Sequence, residues 1–278
     1  MIPRKVKIFL AASLVAILCA ANSFGAQQLS WTSKKFKEEK SGLDAARAKF
    51  KWRKWEGNPL PEYEKLTYSV SWQFVKVGEA TMEIRGFDDI DGRKAYHIYS
   101  SAQTKPFFDE VFKVRDTNEA WMDAESKCSL QFVQSIDEGG WTKNESLYFN
   151  QIDNRYIRSD NGSWTMGDTP PYVQDVMTAL YYVRTMDLKV GEQYTLNAHS
   201  GDLSWPLVVN VLREESIDTP AGTFDCVVVE PHVMENAGIF KATGQMQVWM
   251  TNDEKKIPVF VKVKTPLGST SAILEEIK

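Results

Sequence analysis

From Glu62 onward, apolar and polar residues alternate with period two. Leu66, Tyr68, Val70 and Trp72 alternate with Thr67, Ser69 and Ser71, the pattern of a strand with one buried face. Ala80, Met82 and Ile84 repeat it, and Gly78 marks a turn or bulge between the two runs. Further strands are predicted over 95–99, 108–122, 130–136, 145–150 and 155–157, then over 193–198, 207–214, 224–231, 240–250, 259–264 and 270–277. Asp88–Gly92, Gly139-Gly140, Asp160–Gly162, Asp218–Gly222 and Thr251–Glu254 supply turns. One segment departs from this rhythm. After Pro170-Pro171, with Asp168 or Thr169 as cap, Val173, Val176, Met177, Leu180, Tyr181 and Arg184 recur at helical spacing, predicting a helix over about 171–185. The expected fold is mainly β: a strongly curved antiparallel sheet or open barrel with one packed helix.

The N-terminus follows other rules. Arg4, Lys5 and Lys7 precede a short apolar run, Ile8 to Leu18, and then small residues. This is the layout of a secretory signal peptide, with Ser23 and Gly25 at the −3 and −1 positions of a cleavage site after Gly25. The run is shorter than the roughly 20 residues that span a bilayer. Cys19 follows the large Leu18, which disfavours lipidation. The expected organisation is a signal peptide (1–25), a polar basic helical arm and linker (26–61) and a β-rich domain (62–278), located in the periplasm or cell envelope. In the arm, Ala45, Ala46, Phe50 and Trp52 suggest an apolar helix face, and Gly57–Pro61 reads as a linker.

Charge divides the chain. Residues 34–54 hold nine Lys/Arg and three Asp/Glu, whereas the remainder from Glu56 carries −13. The acidic body argues against nucleic acid as a partner. The basic run can contact an anionic membrane surface or fold back on the body. Cys128 and Cys226 remain after export, compatible with one disulfide or with two separate buried thiols.

Leu66-Thr67-Tyr68 with Trp72, Val77-Gly78-Glu79-Ala80 and Val114-Arg115-Asp116 form the first part of an ordered motif set. Asp175 with Leu180–Arg184, Val190-Gly191, Thr219–Phe224 and Val248–Asp253 followed by Ile257-Pro258-Val259 complete it. In this order the chain resembles the domain of unknown function 3108 family of exported bacterial proteins, from about Glu62 to the C-terminus. The resemblance implies an envelope protein with a β-rich domain. It supplies no reaction and no catalytic residues.

The residues alone supply none either. His97, His199 and His232 lack ligand spacing, so no metal is expected, and no phosphate loop or nucleophile elbow is present. No cofactor is expected. Trp72, Trp121, Trp205 and Trp249 are the candidates for a ligand-pocket wall, against the plainer reading that most are core. The leading expectation is a non-enzymatic binding or carrier module for an apolar or amphipathic envelope component, such as lipid. A structural or assembly factor and an envelope-polymer hydrolase are the alternatives.

Overall fold

A computed structural model describes residues 50–233, 245–265 and 268–278. The signal segment and the arm as far as residue 49 lie outside them. Among the described residues, fourteen strands form one antiparallel sheet. In chain order they are β1 (Tyr63–Trp72), β2 (Val75–Ile90), β3 (Arg93–Thr104), β4 (Arg115–Asp123), β5 (Ser129–Glu138), β6 (Trp141–Asn150), β7 (Arg155–Asp160) and β8 (Ser163–Asp168). Then come β9 (Gln193–Ser200), β10 (Leu203–Thr219), β11 (Gly222–Val233), β12 (Gln245–Thr251), β13 (Pro258–Thr265) and β14 (Gly268–Ile277). The spatial order runs from β8 back to β1, then β14 down to β9. First and last strands are thus paired at the centre, with Tyr68 opposite Leu274 and Val70 opposite Ala272. Gly78 lies where β2 and β3 approach closely: a Cβ there would meet Gln103 O at 2.5 Å.

Two short helices are described, α1 (Pro106–Phe112) and α2 (Val176–Arg184). The predicted strand over 108–122 is therefore a helix at its start. Pro106 sets the first helical turn, Phe112 tucks inward, and the strand begins only at Arg115. The helix predicted from 171 begins at Val176. Its cap is Asp175, not Asp168 or Thr169, because Tyr172 takes a positive φ and Val173-Gln174 are extended for another purpose. Strand β8 escaped the sequence reading because an edge strand with little burial has almost no alternation.

That purpose is closure. The end strands β8 and β9 are not paired with each other. Instead Val173 O accepts from Ser129 N of β5, while Gln174 N donates to Asn197 O and Gln174 O accepts from His199 N, both in β9. At the other end, Arg158 of β7 donates to Asp202 (2.8 Å), as do Tyr156 (3.2 Å) and Thr165 (2.6 Å). A strap and a carboxylate, not a ladder, bring the sheet ends together.

Helix α2 fills the concave face, packed against β4 and β9. Every residue of it except Leu180 is buried. Its side chains share the main core with Leu66, Tyr68, Ile98, Phe132, Val228 and Met250. The Asp175 carboxylate accepts from Met177 N (2.7 Å), Thr178 N (3.0 Å), Ser129 Oγ (2.5 Å) and Thr178 Oγ1 (3.0 Å). Substituting Asp175→Ala removes the cap and strands the buried Ser129 hydroxyl, while Thr178 keeps its bond to the backbone carbonyl of residue 175. It is expected to cost about 2 kcal/mol in urea unfolding, with Asp175→Asn losing less.

Antiparallel strands place their turns on two rims. The α1 rim also carries the β1–β2, β5–β6, β7–β8 and β9–β10 turns. The opposite rim carries β2–β3, β4–β5, β6–β7, β10–β11, β12–β13 and the connection containing α2. Residues 50–61 lie along that opposite rim without forming a helix, correcting the helical face expected at Phe50 and Trp52. Each anchor reaches the body instead: Arg53 Nη2 to Ser126 O (2.6 Å), Trp55 Nε1 to Thr185 Oγ1 (2.8 Å) and Trp55 N to Glu125 O (3.0 Å). The fold-back reading of the basic run therefore holds for Arg53, whose guanidinium also stacks 4.3 Å from the Tyr172 ring.

Candidate functional site

A pocket of about 370 Å³ opens on the flank of the opposite rim. Its origin is a β-bulge. Trp121 pairs with Gln131 and Met122 with Ser129, so Leu130 is left between them. This turns Leu130 out of the main core into a satellite cluster with Ala95 and Cys128, flanked by Trp52, Ile90, Trp121 and Tyr172. The β2–β3 turn, with both Asp91 and Gly92 at positive φ, adds Ile90, Asp91 and Arg93. The end of β6 and its turn add Tyr148, Asn150 and Gln151, and the folded-back arm closes one side with Trp52.

The polar groups are held from behind. Arg93 grips the buried Asp123 through two bonds, Nε to Oδ2 (2.6 Å) and Nη2 to Oδ1 (2.8 Å), and lies 4.3 Å from the Trp52 ring. Burial alone would raise the Asp123 carboxyl. Bonds from Arg93 and Ser126 outweigh it and hold the group below its ordinary value. Tyr148 donates to Asp91 (2.8 Å). Gln151 donates its amide to Ser129 O (2.6 Å), while its buried Oε1 has no hydrogen-bond partner among the described residues. Aromatic walls beside the Asp91 carboxylate suit a small ligand that brings hydroxyl or amide donors.

The four tryptophans singled out from sequence do not converge there. Trp205 and Trp249 are buried in the main core, Trp249 tilted against Phe260 at 4.9 Å. Trp121 lies on the outer face, stacked on His97 at 4.9 Å and donating to Asp88 (2.8 Å). Trp72 stands at the α1 rim, paired with Val75 and Thr270. The pocket's own tryptophan, Trp52, was assigned to the arm. Two tryptophans inside a basic polar run are the signal that this stretch packs on something. Of the two alternatives for Cys128 and Cys226, the structure shows the separate buried thiols. Both thiols are free and buried, in different clusters, Cys128 just before β5 and Cys226 on β11, eight places away in the sheet. Burial pushes Cys128 up to about 12 and Cys226 up to about 11, so neither is a nucleophile at neutral pH.

The family described as "Protein of unknown function (DUF3108)" matches residues 67–275. The chain belongs to this family. No curated protein matches it. Among solved structures, a β-barrel-like protein of the DUF1849 family from Brucella abortus is 10% identical. That match covers 80% of this chain and 98% of the other, with a TM-score of 0.53. A protein described as exported, with a YmcC-like fold, from Bacteroides fragilis is 12% identical over 80% of this chain and 98% of its own, with a TM-score of 0.33. The Brucella likeness extends to the fold. Among the described residues, no helix of this DUF3108 protein is long and apolar enough to cross a membrane.

Two further clusters carry chemistry-bearing side chains. On the concave face Glu145 joins Lys143 (3.1 Å) and Arg158 (2.5 Å), and Glu138 stands beside Asp116. Burial, with Asp116 as neighbour, raises Glu138 to about 9, so the two carboxyls hold one proton at neutral pH. At the β9–β10 turn, His199 donates Nε2–H to Gly201 O (2.9 Å) and accepts from Ser204 Oγ at Nδ1 (2.7 Å). Burial lowers this imidazole to about 4. That is too weak a base to activate Ser204, and the pair acts as a lock on the hairpin.

Proposed function

We propose that this DUF3108 protein is an exported, non-enzymatic binding module of the cell envelope whose ligand is a single glycan unit of an envelope polymer, seated in the flank pocket. The observation that carries this reading is a pocket that sets the Trp52 and Tyr148 rings beside the charged groups of Asp91 and Arg93. A sugar ring offers an apolar face to aromatic walls and hydroxyl donors to carboxylate and amide oxygens. The volume favours one ring, since about 370 Å³ is at the small end of ligand pockets. A lipid carried inside the barrel has less support, because α2 occupies the concave face.

The test is thermal shift with a panel of free hexoses and amino sugars, on the purified protein and on Trp52→Leu and Asp91→Ala. At least one sugar is expected to raise the melting temperature of the wild type and to leave both variants unmoved. No shift with any sugar, together with a diacyl lipid retained in native mass spectra, would replace this reading with the carrier.

A further inference from the structure

The two ends of the sheet are treated differently. At β9 the strap lies along the outer edge, with Gln174 N donating to Asn197 O (2.8 Å) and His199 N to Gln174 O (2.8 Å). Among the described residues, no segment pairs with the outer edge of β8. Its inner edge is the β7–β8 hairpin, and just beyond that ladder Thr169 N donates to Asn154 O (2.7 Å). This bond sets the phase of the hairpin. Residues 163, 165 and 167 exchange bonds with β7, so the N–H and C=O groups of Trp164, Met166 and Asp168 point away from it.

Strand β9 does not stand in front of that edge, because the sheet ends overlap. The His199 ring of β9 lies 4.5 Å from the Tyr156 ring and 5.3 Å from the Phe149 ring. Asp202, in the β9–β10 turn, accepts from Tyr156, Arg158 and Thr165. These side chains share the concave face, since Thr165 stands opposite Arg158 in the register. The β9 end therefore tucks beneath β7 and β8 and leaves β8 as an outer edge. That edge has no lysine, proline or bulge to discourage pairing. On its convex face Met166 and Trp164 are half-buried, with Ile157 opposite Met166.

We infer that β8 pairs antiparallel with β8 of a second copy of this chain, about a twofold axis at Met166. In this register the edge is its own complement. The outward groups of three residues on each copy meet and form six main-chain hydrogen bonds. Ile157 and Met166 continue into the same two residues of the other copy as one apolar row across four strands. Trp164, an indole N–H donor, falls opposite Asp168 of the partner subunit. The two Asp168 carboxylates are offset by four residues, about 13 Å along the strands, so like charges do not meet. A junction of six-residue strands is small for an interface, so dissociation constants on the order of 10 µM are expected. The inference stands independently of what the flank pocket binds.

Sedimentation velocity from about 1 to about 200 µM tests it, and the wild type is expected to pass from monomer to dimer across that range. Met166→Pro removes an N–H that faces solvent in the monomer, so circular dichroism should show it folded. It is expected to weaken the dimer at least about tenfold. Cysteine cross-linking reads the register. Met166→Cys on the axis brings two Cα atoms to about 5.5 Å and is expected to form an intermolecular disulfide under mild oxidation. Asp168→Cys, off the axis, is expected to stay unlinked, and the native Cys128 and Cys226 are buried and do not compete. Three results would overturn the inference. The wild type stays monomeric throughout. Met166→Pro dimerises as the wild type does, with association lost instead in Phe74→Asp, which would place the contact at the exposed tip of the β1–β2 turn. Or Asp168→Cys links as readily as Met166→Cys, which the twofold register forbids.

Discussion

Replacing Arg184 by Met is expected to destabilise the fold by about 3–5 kcal/mol, the cost of leaving a buried charge without its partner. Arg184 is fully buried at the last turn of α2. Its Nη1 and Nη2 reach the Glu64 carboxylate at 2.7 and 2.8 Å, and Nε reaches Lys255 O at 3.3 Å. One side chain therefore ties the interior helix to the start of β1 and to the β12–β13 turn. Around it, Tyr181 lies 5.0 Å from the guanidinium, and Tyr68 donates to Pro258 O (2.7 Å). With Arg184 gone, Glu64 keeps its burial and loses both charge-assisted bonds. The joint variant Glu64→Leu/Arg184→Met removes both charges and is expected to recover most of the loss. The midpoint of urea unfolding, at unchanged slope, measures it. A single variant costing under about 1 kcal/mol would show the pair to be relaxed or solvated, against its burial.

Acid is expected to weaken the protein through His199. Burial sets this imidazole at about 4 in the fold against 6.5 when exposed. As pH falls below 6.5 the unfolded chain takes up a proton that the native chain refuses until about 4. Stability then drops across that window by about 3 kcal/mol and levels off below it. Glu145, Asp202 and Arg158 face the same site, so the effect is read as a difference between wild type and His199→Gln. The gap between the two should narrow by that amount from about pH 7 to about pH 4. Parallel pH profiles would mean that water reaches the ring. Glu138 acts in the opposite sense. Its native value of about 9 means that the fold holds a proton which the unfolded chain has released above 4.5. Its contribution therefore falls as pH rises between those values, and Glu138→Gln is expected to flatten the alkaline side.

The legible and illegible parts of this protein separate on physical grounds. Alternation at Leu66, Tyr68 and Val70 marks a buried face wherever the strand sits, because side chains alternate across any pleat. The interior helix was legible from Val176, Met177 and Tyr181, although its cap was misplaced. Asp175 and Asp168 look alike in sequence, and only the strap at Val173-Gln174 distinguishes them. The first turn of α1 was hidden because Phe107, Phe108, Val111 and Phe112 read as a strand until Pro106 and the register of β3 and β4 are known. Among the tryptophans, type alone cannot separate core from pocket. Trp205 and Trp249 are buried with the main core, Trp249 against Phe260, whereas Trp52 lines a pocket because a bulge at Leu130 opens space beside it.

By itself, the sequence determined the β-rich class, the number of reversals to within a strand or two, the presence of one interior helix and the family. Each of these follows from local periodicity and turn chemistry. Only the tertiary structure decided that the strand ends are joined by a strap, that the cysteines stay apart and that Arg184 meets Glu64. Those facts depend on which distant segments become neighbours, up to the 120 residues between Arg184 and Glu64. No local pattern carries that distance.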